Sequence, residues 1–206
     1  MNKIFSVAAV FTALSAGTAH SADVMSDPAY DWTGFYSGIH AGYAWVDGTY
    51  FAAPATNFTL NADGVRFGTL GGYNFQSDSI VFGIESDTSF GTLKDSNATI
   101  DEIKIGIEST LRARVGVSMD RLLPYVTAGA ALAQASSNQF GLGKDKNYHL
   151  GFVAGGGLEY AATDHLRLRA EYLYESFGKE TYHIGPFNDT MKWDQQTLRA
   201  AVVWAW

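Results

Sequence analysis

From residue 31 to the C-terminus, apolar and polar side chains alternate with a period of two in eight stretches. That period belongs to strands with two unlike faces. The clearest stretch spans about 102–118. There Ile103, Ile105, Ile107, Leu111, Ala113, Val115 and Val117 alternate with Lys104, Gly106, Glu108, Thr110, Arg112, Arg114 and Gly116. Similar alternation predicts strands over about 33–45, 64–75, 80–90, 124–134, 148–160, 165–177 and 197–206. The facing of 124–134 is the weakest pattern, with Val126, Ala128, Ala130 and Leu132 on one side. In the last stretch Leu198, Ala200, Val202, Trp204 and Trp206 make one wholly apolar face ending in two indoles. A final strand of that kind suits a barrel closing in lipid, with tryptophan at the membrane interface.

The connections sharpen this. Short turns at 76–79, 118–122 and 161–164 alternate strictly with long polar connections at 46–62, 91–101, 135–147 and 178–194. Both ends of the barrel chain then lie on the short-turn side. The expected fold is all-β: an eight-stranded antiparallel up-and-down transmembrane β-barrel with short periplasmic turns and long external loops. Strands of roughly 10–13 residues match the length that crosses lipid at a tilt.

Alternation alone does not say which face is outside, because a lipocalin-like soluble barrel has the same period with its apolar face inward. Charge placement does. Arg66, Arg112, Arg114, Arg167, Arg169 and Arg199 share the minor, charged face, while Lys94, Lys144, Lys146, Lys179 and Lys192 fall in the predicted loops. Arginine is the residue suited to packed, bidentate ion pairs. Glu85, Asp87, Glu108, Glu159, Glu171 and Glu175 lie on the same face, joined by Lys104. Near-neutrality of that set is what a narrow, side-chain-filled polar lumen needs. Glu85 and Asp87 with Arg112 and Arg114, at similar heights on neighbouring strands, are the expected centre of the network.

The N-terminus sets the compartment. Residues 1–21 join a lysine-bearing start to an apolar run from Ile4 to Ala16 and small residues before the cleavage point, and read as a secretory signal. Cleavage after Ala19 or Ser21 fits equally. Residues 22–32 form a short polar lead and 33–206 the barrel. Loss of Lys3 takes the formal charge from −7 to −8, which argues against a nucleic-acid partner. The absence of cysteine excludes disulfides, zinc-thiolate sites and a cysteine nucleophile. Abundant glycine and aromatics with little proline suit a β-protein.

Six short motifs carry a resemblance: Asp31-Trp-Thr-Gly-Phe-Tyr36, Gly71-Gly-Tyr-Asn-Phe75, Val81-Phe-Gly-Ile-Glu85, Leu111-Arg-Ala-Arg-Val-Gly116, Leu123-Pro-Tyr-Val-Thr127 and Gly157-Leu-Glu-Tyr160 with Ala170-Glu-Tyr-Leu-Tyr174. Over about 31–206 the chain resembles the small outer-membrane β-barrel porin family of Gram-negative bacteria, the opacity-like group common in alphaproteobacteria. The resemblance implies a surface barrel whose relatives serve as structural antigens, small porins or hemin binders. It also implies outer-membrane lipid and the barrel assembly machinery as partners, with Trp204 and Trp206 as assembly signal and interface aromatics. The family usually ends in phenylalanine; here Trp206 takes that place.

The function expected from the residues is a structural or surface-interaction barrel with an ion-paired, largely closed lumen. No cofactor, metal or catalytic group is expected. A small-solute porin is the alternative, using a gap beside Gly38, Gly42, Gly68, Gly72, Gly155 and Gly157. Against it, those glycines equally accommodate large neighbours such as Tyr36 and the arginines. A third reading is ligand or hemin binding at the external loops through Tyr148, His149, Tyr182 and His183, since histidine and tyrosine ligate heme iron. An enzyme is the weakest reading: His40 and His149 stand on strands away from the turns, and no Gly-x-Ser-x-Gly elbow is present.

Overall fold

A computed structural model describes residues 30–206, apart from 53–55, 92, 96–100, 140–142 and 185–186; many side chains near the tips of the long hairpins also lie outside the description. The expected signal and most of the lead precede the described residues. Nine strands follow in order: β1 (Gly34–Ala52), β2 (Thr56–Ser77), β3 (Ile80–Phe90), β4 (Lys94–Asp95), β5 (Asp101–Val117), β6 (Leu122–Gln139), β7 (Gly143–Ala161), β8 (Leu166–Ile184) and β9 (Phe187–Ala205). Eight of them pair antiparallel with their neighbours, and β1 pairs with both β2 and β9, so the sheet closes on itself. The two-residue β4 adds a rung to β2 at Ala62 and Asp63. The seam is in register from Tyr36 opposite Ala205 to Phe51 opposite Thr190.

The outward face carries an apolar belt. On β1 it runs from Phe35 through Ile39 and Tyr43 to Trp45, all exposed, close to the ~9–11 residues that a tilted transmembrane strand needs. Aromatics rim both edges. Phe35, Phe75, Phe82, Tyr160, Trp204 and Trp206 stand at the short-turn edge. Tyr43, Trp45, Phe90, Tyr148 and Tyr172 stand at the other. Three tyrosine hydroxyls there bond to polar residues on adjacent strands: Tyr43 to Asp63, Tyr172 to Gln196 at 3.0 Å, and Tyr148 to Gln134 at 3.0 Å. Between the rims, Ala41, Ala170 and Ala200 are exposed neighbours across β1, β9 and β8.

The strands are longer than the alternation predicts, and the difference has a physical cause. At the level of Gln195 and Gln196 the faces exchange polarity. Below it Leu198, Val202 and Trp204 point out and Arg199 points in; above it Lys192 and Asp194 point out while Trp193 and Met191 are buried. On β1 the exchange follows Trp45, with Asp47 and Thr49 exposed beside buried Ala44 and Val46. The barrel therefore continues beyond its belt with apolar residues inside, as in a water-soluble sheet. The predicted loops 46–62, 135–147 and 178–194 are mostly the walls of tall hairpins. Lys144, Lys146, Lys179 and Lys192 sit on those strands rather than in loops.

Candidate functional site

Among the described residues the interior is built in three levels. At the short-turn mouth, Trp32, Val81, Leu123 and Ala161 are buried together with Tyr30. These apolar residues close the lumen from below. They come from the segment before β1 and from the ends of β3, β6 and β7.

The middle level holds the charged face. All six strand arginines and all six strand carboxylates named from the sequence are buried. Arg112, directly opposite Glu85, contacts Glu85, Asp87 at 2.8 Å and Glu171 at 3.1 Å. Glu85 also takes Arg169 at 2.6 Å and Arg114 at 3.7 Å. Glu159 gathers Arg169 at 2.8 Å, Arg114 at 2.9 Å and Arg167 at 3.6 Å. Arg199 joins Glu171 at 2.6 Å to Asp87 at 3.1 Å. Five arginines and four carboxylates thus form one continuous web across the lumen. Two tyrosines complete it. The Tyr36 hydroxyl donates to Glu85 at 2.8 Å, the Tyr125 hydroxyl donates to Glu171 at 2.7 Å, and the Arg114 guanidinium lies 3.9 Å above the Tyr125 ring.

Above the web, Arg66 sits 3.4 Å from Glu108, and the Gln195 amide donates to both Glu108 and Glu175. This smaller cluster holds two carboxylates to one arginine, and the web below holds the reverse excess. Together the two lumen clusters balance at six arginines and six carboxylates. Lys104 belongs to the same predicted face, but its side chain lies outside the description.

The uppermost described level is mostly apolar. Ala44, Val46, Ala131, Ala133, Phe177, Met191 and Trp193 pack with Leu93, which turns in from the connection after β3. Phe177 stacks on Trp193 with ring centres 4.8 Å apart, and His149 lies against the same indole at 4.3 Å.

This arrangement separates residues that the sequence reading grouped. Tyr148 and His149 are neighbours on β7, so they take opposite faces. Tyr148 is on the outer surface and His149 is wholly buried, so they do not form one external ligand site. Tyr182 and His183 pair with Asp189 and Asn188 along β8 and β9, with side chains outside the description. Sequence reasoning missed Tyr30, Trp32, Tyr125, Gln195, Trp193 and Phe177. For Tyr125 and Phe177 the alternation held the signal, since each falls on the inward set of its predicted strand; Trp193 fell in the predicted loop 178–194 and Gln195 just before the last predicted strand. His40 is buried against Gly68, with neither ring nitrogen hydrogen-bonded to another described residue.

The glycines on the inner face are covered. A β-carbon on Gly72 would come 2.5 Å from the Tyr36 hydroxyl. One on Gly157 would come 2.8 Å from that of Tyr125, and one on Gly42 would come 2.6 Å from Cβ of Arg199. They make room for large side chains.

Closed topology, an apolar belt with aromatic rims and a buried ionic interior meet in one chain. The family described as "Outer membrane protein beta-barrel domain" matches residues 6–205. The chain belongs to that family. Among its relatives is the 25 kDa outer-membrane immunogenic protein of Brucella abortus biovar 1 (strain 9-941). It is 33% identical over 175 residues, covering 85% of this chain and 79% of the relative. The 31 kDa outer-membrane immunogenic protein of Brucella melitensis biotype 1 is 32% identical, covering 84% of this chain and 87% of that one. Two solved structures share the fold. Neisserial surface protein A aligns with a TM-score of 0.52 and 18% identity, covering 84% of this chain and 98% of that one. OprG from Pseudomonas aeruginosa aligns with 0.53 and 13% identity, covering 84% and 97%.

This outer-membrane barrel therefore lies in the outer membrane of a Gram-negative cell, its apolar belt in lipid. Arginine introduced at Ala200, near mid-height of the belt, is expected to destabilise the refolded barrel by about 2–4 kcal/mol. The change Lys192→Ala, above the rim, is expected to stay within about 0.5 kcal/mol. Urea titration in lipid vesicles measures both; equal effects would contradict the placement of the belt.

Proposed function

We propose that the protein is a closed, ion-paired scaffold that displays its tall hairpins at the cell surface for contact with other surfaces. The carrying observation is the web around Arg112, Glu85 and Arg169, which spans the lumen from β3 and β5 to β8. An eight-stranded barrel has an interior just wide enough for side chains to fill it, and here apolar layers lie above and below the charges. The covered glycines support the same reading over that of a porin. The relatives' description as immunogenic suits a barrel whose hairpins meet the outside.

Planar-bilayer recording of refolded protein tests it. The expected trace shows no steady conductance. Large, stable open channels would sink the scaffold reading in favour of a porin.

A further inference from the structure

The residues just before β1 do more than lead into it. Trp32 is fully buried, and Tyr30 nearly so, although both precede the first strand. Their partners come from around the whole short-turn mouth. The Trp32 backbone N–H donates to the Gln76 side chain on β2 at 2.9 Å, and its indole N–H donates to the Asp120 carbonyl in the β5–β6 turn at 3.1 Å. The Tyr30 N–H donates to the Asp120 carboxylate at 3.3 Å, and its hydroxyl donates to the Asp164 carbonyl in the β7–β8 turn at 3.2 Å. Arg167 of β8 donates to that hydroxyl at 2.8 Å and lies 4.8 Å over the Trp32 ring. Beneath them are Val81, Leu123 and Ala161, from β3, β6 and β7.

Two features give this segment a mechanical role. Its receptacle is assembled from β2, β3, β6, β7 and β8, so it exists only once those strands stand in one cylinder. The segment also crosses the seam. It is joined covalently to β1, and it grips Asp164 and Arg167 on the far side of β9. The seam itself ends where the Trp206 N–H donates to the Phe35 carbonyl at 3.1 Å. Parting β1 from β9 therefore requires the segment to let go of β8 and the β7–β8 turn, or to tear out of the mouth.

We infer that residues 30–33 are a strap that docks after the barrel closes and locks the β1–β9 seam against reopening. An interaction formed after the rate-limiting step slows unfolding and leaves folding almost untouched. Trp32→Ala removes a fully buried indole and its hydrogen bond. It is expected to speed unfolding roughly tenfold to a hundredfold and to change the folding rate less than about twofold. Trp32→Phe keeps the packing but loses the indole donor, and should fall between.

The rates are read from heat-modifiable gel mobility during folding into, and urea unfolding from, lipid vesicles. Slower folding with unchanged unfolding would overturn the inference, as would no change in either rate. So would a Trp32→Ala protein that fails to close while Trp32→Phe closes, because the strap would then belong to closure itself. Trp32 meets the web only at Arg167, and the ion pairs of Arg112, Glu85 and Arg169 and the Trp193 layer lie above it, so bilayer conductance is expected to stay closed whichever way the rates move.

Discussion

Replacing Glu85 by alanine is expected to cost the refolded barrel about 3–5 kcal/mol, the range for removing one partner of a buried ion pair. Glu85 receives Arg112, Arg114 and Arg169 together with the Tyr36 hydroxyl. Its loss leaves three guanidiniums to share Glu159, Glu171 and Asp87. The penalty comes from stranded charge more than from the lost contact, which gives a sharper test. Adding Arg169→Met to Glu85→Ala should recover part of the loss, so the pair will be far from additive. Urea titrations with an unchanged m-value would report the difference. A Glu85→Ala effect below about 1 kcal/mol would mean that the web is hydrated and energetically loose, like a surface pair.

The second large effect concerns assembly rather than stability. Trp206 is two-thirds exposed at the lower rim, where a carboxylate costs about 1 kcal/mol or less. Trp206→Asp should therefore leave the stability of refolded protein nearly unchanged. If Trp206 also serves as the signal read by the barrel assembly machinery, as we propose, the same change should remove most of the assembled protein from the outer membrane of living cells. Quantifying folded barrel in membrane fractions beside vesicle unfolding separates the two. Normal yield in cells would refute the signal role.

Much of the belt could be read directly from the chain. Ile103 to Val117 alternates so cleanly that the faces of β5 follow from period alone, and the arginine distribution told the lumen from the lipid side. The facing of β3 on β5 brought Glu85 opposite Arg112. What stayed hidden has two causes. The contacts of Arg112 with Glu171 and of Arg169 with Glu85 cross the lumen, and no local pattern encodes a distance across a barrel. The hairpin walls were hidden because their alternation reverses sign: Asp47-Gly48 and Lys192 look like loop chemistry until Val46, Met191 and Trp193 are seen to point inward. Trp32 stood in the Asp31–Tyr36 motif, but neither it nor Tyr30 gave any sign of its contacts, since their partners are scattered from residue 76 to residue 167. The adjacent Tyr148 and His149 could have been separated by period two, but their place at a strand end made them look like loop residues.

The polarity exchange above Trp45 and Gln196 also bears on how such a surface can diverge between strains. Beyond the membrane the described inward residues support the Trp193 core, while residues between them, such as Asp47, Thr49 and Lys192, are exposed. Those positions can change charge and shape without disturbing the wall that carries them. An antibody that binds the hairpin flanks thus meets an alternating pattern, half of it held constant by packing and half free to drift.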